Sequence, residues 1–133
     1  TFRPQLDFEV FHGAFALGQV LVTPVPVVHG PAETVGFRLD AGGRSLGYVP
    51  DCQSMPEASQ ALLQGVDVMV LDALRHRPHA THITVNASVA LLARIGAQRS
   101  YLTHMCHELD HAETQAGLPP GVWVSYDGLT LEW

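Results

Sequence analysis

Residues 66–73, VDVMVLDA, are apolar at every position except the two aspartates. Successive side chains of a strand point to opposite faces, so a nearly unbroken apolar run asks for a strand covered on both faces. The flanking segments read as helices that supply cover. In SMPEASQALLQG, Ser54 and Glu57 have capping-box spacing, Pro56 falls in the first turn and Gly65 is a stop. In THITVNASVALLARIGA, Val85, Val89, Leu92 and Ile95 form one helical stripe. QRSYLTH follows as a strand and HELDHAETQAG as a short helix. Strand and helix alternate through the middle of the chain, which predicts an α/β fold: a mixed β-sheet with helices packed on it.

Hairpins are expected at both ends. EVFHGAFALGQVLVTPVPVVHG reads as strand, turn and strand, with Pro24 and Pro26 marking an edge or irregular strand. In ETVGFRLDAGGRSLGYVPD, Val35, Phe37 and Leu39 alternate, Ala41-Gly42-Gly43 turns the chain, and Leu46 and Tyr48 alternate on the return. GVWVSYDGLTLEW is predicted to close the chain as a hairpin turning at Asp127-Gly128. There is no internal repeat, low-complexity tract or linker, so residues 1–133 are expected to form one domain or part of one.

A net charge of −6 argues against a nucleic-acid surface that works by bulk positive charge. It leaves room for a local phosphate site whose positive charge comes from a metal ion. No apolar run reaches the roughly 18 residues of a membrane span. Cys52 and Cys106 fit a reducing compartment better than a disulfide scaffold, and a cytoplasmic location is expected. Eight histidines in 133 residues is the unusual figure.

Three of them fall in YLTHMCHELDHAET, which contains H-E-x-x-H at His107, Glu108 and His111. A zinc protease site needs that motif on one helix, with a third ligand nearby. Only 22 residues follow His111, and no histidine is among them. The better reading leaves these residues in a capping segment and looks to His104 instead. His29 follows the strand ending VPVVHG, Asp51 the strand ending LGYVPD, and His104 the strand SYLTH; His82 lies just before the helix that begins near Thr84. Polar groups at strand ends converge when those ends share one edge of a sheet. A carboxylate between two imidazole sites can bridge two metal ions, because it has two oxygens. His76 and His79 read as solvated loop residues, His12 carries no signal, and the cysteines read as small core fillers.

The pieces VVHG, GYVPDC, HATHIT and YLTHMCHELDH, in that order, resemble the second half of a metallo-β-lactamase-fold hydrolase. Within that superfamily they are most similar to PhnP-type cyclic phosphodiesterases, and the tail LPPGVWVSYDGLTLE is similar as well. Asp51 follows His29 by 22 positions and His104 follows His82 by 22, as in that family. The superfamily's main signature, H-x-H-x-D-H, is absent from residues 1–133. The resemblance implies the second half of an αββα sandwich. It implies two divalent metal ions, zinc or manganese, held in part by His29, Asp51 and His104, an incomplete set without that signature. It makes His82 the catalytic group, and His107 and Asp72 residues that contact substrate or support the site from behind. The implied substrate is a small cyclic phosphodiester. Rival readings are a thioesterase, a lactonase, an RNA-end-processing relative, or a non-catalytic half-domain. An apolar sheet face without its packing partner further predicts a homodimer.

Overall fold

A computed structural model describes residues 2–132. Seven strands form one sheet in sequence order. They are β1 (Phe15–Leu17), β2 (Val20–His29), β3 (Ala32–Ala41), β4 (Arg44–Val49), β5 (Val68–Asp72), β6 (Arg99–Thr103) and β7 (Val122–Val124). The first four pair antiparallel and the last four parallel. Helices α1 (Glu57–Leu63), α2 (Val85–Ile95) and α3 (His111–Ala116) occupy the three parallel connections. The mixed sheet with packed helices is therefore as expected, and it has the form of the second half of an αββα sandwich.

The β3–β4 hairpin turns on Gly42 and Gly43, with φ of 57° and 76°. A two-residue loop with both φ positive matches the twist of the flanking strands, and glycine adopts it without a Cβ clash. In β2, Pro24 and Pro26 face β3 beyond the reach of three-residue β1, on a locally free edge where a missing N–H costs no ladder bond.

Parallel strands β4 to β7 are laid down in one direction across the sheet. Right-handed crossovers then put every connecting helix on the same face. That face carries the core: Val25, Val27, Val49, Met69, Leu71 and Leu102 pack with Leu63 of α1 and with Leu91, Leu92 and Ile95 of α2. The registers place Phe37, Leu39, Leu46, Tyr48, Val70, Tyr101 and Trp123 on the other face. There Tyr48 is 43% and Trp123 39% exposed. The cover expected on both faces of β5 comes from helices on one side only. Its apolar run is buried under helices on one side and left to sheet neighbours on the other, where Val70 is half-buried.

Helix α2 begins after Thr84 as expected, capped by Thr84 accepting from the Ala87 N–H; Val85, Leu92 and Ile95 of the expected stripe are buried beside Ser88 and Leu91, with Val89 at the margin. Local expectations are corrected in three places. Ser54 and Glu57 form no capping box: α1 begins after Pro56 with no side-chain cap. The Ser54 backbone instead pairs with Val28. The first strand begins at Phe15, six residues later than read. Among the described residues no closing hairpin forms. The outer edge of β7 is occupied by the Gln115 side chain, whose amide donates to the Val122 carbonyl and whose oxygen accepts from the Val124 N–H. With those groups satisfied, the chain turns at Gly128 and runs on without pairing back.

Candidate metal centre

β2 is antiparallel to β3 and β3 to β4, so β2, β4, β5 and β6 all run the same way. Their C-terminal ends share one sheet edge, where ligands of open α/β sheets gather. His29 ends β2, Asp51 follows β4, Asp72 ends β5 and His104 follows β6. His82 reaches the same edge from the β5–α2 loop. That loop is pinned by the Ile83 N–H to the Cys52 carbonyl and the Leu74 N–H to the Ile83 carbonyl.

Donor atoms fall into two clusters that share His82: His29, Asp51 and His82, and Asp72, His82 and His104. Within each, the donor atoms lie within 4.8 Å of one another. The His82 ring stands 4.7 Å from that of His29 and 4.6 Å from that of His104, centroid to centroid. The predicted residues His29, Asp51, His82 and His104 are thus brought together, with Asp72 behind them. His107 is exposed in a turn beyond this group.

Hydrogen bonds fix the orientation of His29 and His82. His29 Nδ1 donates to the Thr81 carbonyl at 2.8 Å, which leaves Nε2 as a free lone pair. Asp72 Oδ2 takes the Cys52 N–H at 2.9 Å and His82 Nδ1 at 2.6 Å. The His82 proton facing Asp72 is therefore on Nδ1, and Nε2 faces the site. His104 has φ of 60°, a left-handed backbone that is uncommon outside glycine and marks a held conformation. Its Nε2 lies 3.6 Å from Asp51 Oδ1 and its Nδ1 3.7 Å from Asp72 Oδ1. Those distances are too long for hydrogen bonds. Asp72 Oδ1 is buried with no hydrogen-bond partner among the described residues. A converging set of imidazole nitrogens and carboxylate oxygens that do not satisfy one another fits a divalent metal.

Asp72 is fully buried, whereas Asp51 and His104 are each 43% exposed. Burial pushes the Asp72 carboxyl up from the usual range, against the Cys52 N–H and His82, which favour the carboxylate. Burial, with the Asp72 charge adding to it, pushes the Cys52 thiol up to about 12. That removes Cys52 as a thiolate nucleophile at neutral pH.

Gly30 sets the approach between His29 and its loop partner. Its φ is 60°, and a Cβ there would stand 2.9 Å from Thr81 Cγ2. Gly30→Ala is expected to destabilise the chain by about 1 kcal/mol or more. Calorimetric melting should show part of that loss recovered by Thr81→Ser, which removes the methyl and leaves only the φ cost. No recovery would show that the contact is not what excludes a side chain.

H-E-x-x-H does not form a helical site. His107 and Glu108 lie in a turn, and α3 starts only at His111, capped by Asp110 accepting from the Glu113 N–H. Glu108 is tied to Arg77 and, at 3.7 Å, to Arg75. Hydrogen bonding to Arg77 holds its carboxyl below the usual range. His79 lies in the loop as expected, without being fully solvated. It is half-buried, with its ring centroid 5.2 Å from that of His82. Thr81 and Cys52, which hold the site by backbone groups, carry no sequence signal for that role.

Residues 7–105 match the family model described as beta-lactamase superfamily domain. Among solved structures, a diphosphatase of the PhnP family is 43% identical with a TM-score of 0.87, covering 93% of this chain and 47% of that one. Zn(2+)-bound PqqB from Methylobacterium extorquens is 26% identical with a TM-score of 0.71, covering 90% and 53%. An octanoyltransferase of Porphyromonas gingivalis is 25% identical, covering 96% of this chain and 24% of that protein. The chain spans about half the length of these solved structures and a quarter of that transferase.

Proposed function

This chain belongs to the beta-lactamase superfamily, and on that premise we propose that it carries half of a two-metal phosphodiesterase centre of PhnP type. The observation that carries the reading is the convergence of His29, Asp51, His82 and His104 on one sheet edge, with Asp72 behind His82. His29 Nε2 would hold one ion, His104 the other, and the Asp51 carboxylate both. Zinc or manganese fits this donor set. The superfamily's H-x-H-x-D-H residues, absent from residues 1–133, would complete it. When bound, such ions lower the pKa of water and neutralise phosphodiester oxygens.

His82 has a different part. Its Nδ1 is committed to Asp72, so Nε2 is the nitrogen that faces a substrate. With a proton there as well as on Nδ1, His82 is an imidazolium that the Asp72 carboxylate stabilises; it donates the Nε2 proton to the departing alkoxide and is left neutral. Asp72 is itself held in place by the Cys52 N–H, the residue after the bridging carboxylate. One aspartate therefore ties the acid to the metal loop. The substrate suited to this pairing is a small phosphodiester, a cyclic one by the PhnP resemblance.

The test is turnover of bis(p-nitrophenyl) phosphate and of a ribosyl cyclic phosphate by the metal-loaded protein of full natural length, beside an acyl thioester. Phosphodiester turnover with no thioester cleavage is expected. The reverse preference would replace this reading by that of a thioesterase. Among the described residues no helix is long and apolar enough to cross a membrane.

A further inference from the structure

His79 stands beside His82 without belonging to either donor cluster, and its ring is held as a free loop histidine is not. Its Nδ1 accepts the Thr81 backbone N–H at 3.2 Å and lies 3.3 Å from the Thr81 hydroxyl. A nitrogen that accepts from an N–H carries the lone pair, so the neutral ring bears its proton on Nε2. Thr81 also takes the His29 Nδ1 proton on its carbonyl. One residue thus sets two imidazoles in opposite senses. His29 presents a bare Nε2, suited to a metal. His79 presents an Nε2–H, suited to an oxygen.

We propose that His79 is a substrate-binding residue that donates its Nε2–H to a non-bridging oxygen of the phosphoryl group lying against His82, an inference that rests on the phosphodiesterase reading above. The guanidinium groups of the same loop are engaged elsewhere. Arg75 donates to the carbonyls of Arg77 and Pro78, and both arginines pair with Glu108. A phosphoryl oxygen facing His82 therefore needs another donor, and the ring 5.2 Å away supplies one. Burial, then the charge of Arg75, lowers the affinity of His79 for a second proton.

A merely structural His79 would serve only through Nδ1, holding the turn at Thr81. Two substitutions separate the roles. The amide oxygen of His79→Asn sits where Nδ1 does and can take the Thr81 N–H, as in an Asx-turn, but nothing replaces Nε2–H. The amide nitrogen of His79→Gln sits near Nε2 and restores a donor without the turn bond. The metal-loaded protein of full natural length is titrated with inorganic phosphate by calorimetry, with metal content, melting temperature and kcat and KM for bis(p-nitrophenyl) phosphate measured in parallel. His79→Asn is expected to weaken phosphate binding and raise KM by about ten- to a hundredfold, the weight of a hydrogen bond to a charged group, at unchanged metal content. His79→Gln is expected to recover most of that loss. Wild-type behaviour of His79→Asn, or recovery by Asn and not by Gln, overturns the assignment and leaves the phosphodiesterase reading standing. Phosphate affinity that falls in His79→Asn, in a protein with no phosphodiester turnover, keeps the donor and removes that reading. A wild type with neither turnover nor phosphate affinity removes both.

Discussion

Replacing His82 with alanine in the metal-loaded protein of full natural length is expected to leave bound metal unchanged and to lower phosphodiester turnover by about 10²–10⁴-fold, the usual weight of a positioned general acid. His82 belongs to both donor clusters, so geometry alone would let it bind metal. Its Nδ1 is held by a fully buried carboxylate at 2.6 Å, which aims Nε2 at the site and would suit a metal ligand as well as a proton donor. The resemblance to PhnP-type enzymes assigns His82 the second role, and bound metal is the quantity that separates the two. Asp72→Asn should cost nearly as much. The amide would offer His82 an N–H in place of a lone pair, and the ring would turn to the other tautomer. Asp51→Ala and His104→Ala should instead strip metal and activity together, while His111→Ala changes neither. Elemental analysis beside kcat decides between the two behaviours. Metal lost with His82 would make it a ligand and would end its role as the acid.

The parts of this site that were legible in the sequence are those fixed by strand ends. An unbroken apolar run fixes β5, alternation fixes β3 and β4, and the polar residue ending each strand is then a candidate. Strand direction did the rest, because four strands running the same way bring His29, Asp51, Asp72 and His104 to one edge. The missed features depend on bonds that leave no period. Thr81 acts through its backbone N–H and carbonyl, which any residue possesses. His79 looked like a loop histidine because only its tautomer and its neighbour distinguish it.

The same limit explains the errors in the fold. Ser54 and Glu57 have the spacing of a capping box, but the Ser54 backbone is drawn into a bridge with Val28. Asp127-Gly128 has the composition of a hairpin turn, but the edge it would pair with is already closed by Gln115. In each case a local signal was correct as a propensity and lost to a tertiary partner. Cover on both faces of β5 was legible, but what supplies it was not. Apolar residues show that a face is shielded without showing by what, and the handedness of the crossovers sends all three helices to one side.

That uncovered side leads to a second large effect. The isolated 133-residue chain is expected to self-associate, eluting as a dimer or larger species by size exclusion with light scattering. Phe37, Leu39, Leu46, Tyr48, Val70, Tyr101 and Trp123 share the face without helices. Tyr101 and Trp123 stack at 5.5 Å, extending the patch toward the β7 edge. Part of the far end is screened: Phe11 packs on Phe15 and Phe37 at 5.1 and 6.1 Å. Tyr48 and Trp123 stay 43% and 39% exposed, and a contiguous apolar patch of this kind draws in a second surface. Charge placed there should oppose association, since a lysine buried against another apolar face must be desolvated. Tyr48→Lys with Trp123→Lys is therefore expected to give a monomer with an unchanged far-ultraviolet circular dichroism spectrum. Leu62→Lys, at a 39% exposed position on α1, serves as the control on the helical side and should not alter the association. Dissociation by Leu62→Lys and not by the pair would place the contact on the helices. In a longer protein that carries the other half of the sandwich the face should be occupied, so the pair of lysines should there lower the melting temperature and leave the oligomeric state as it was.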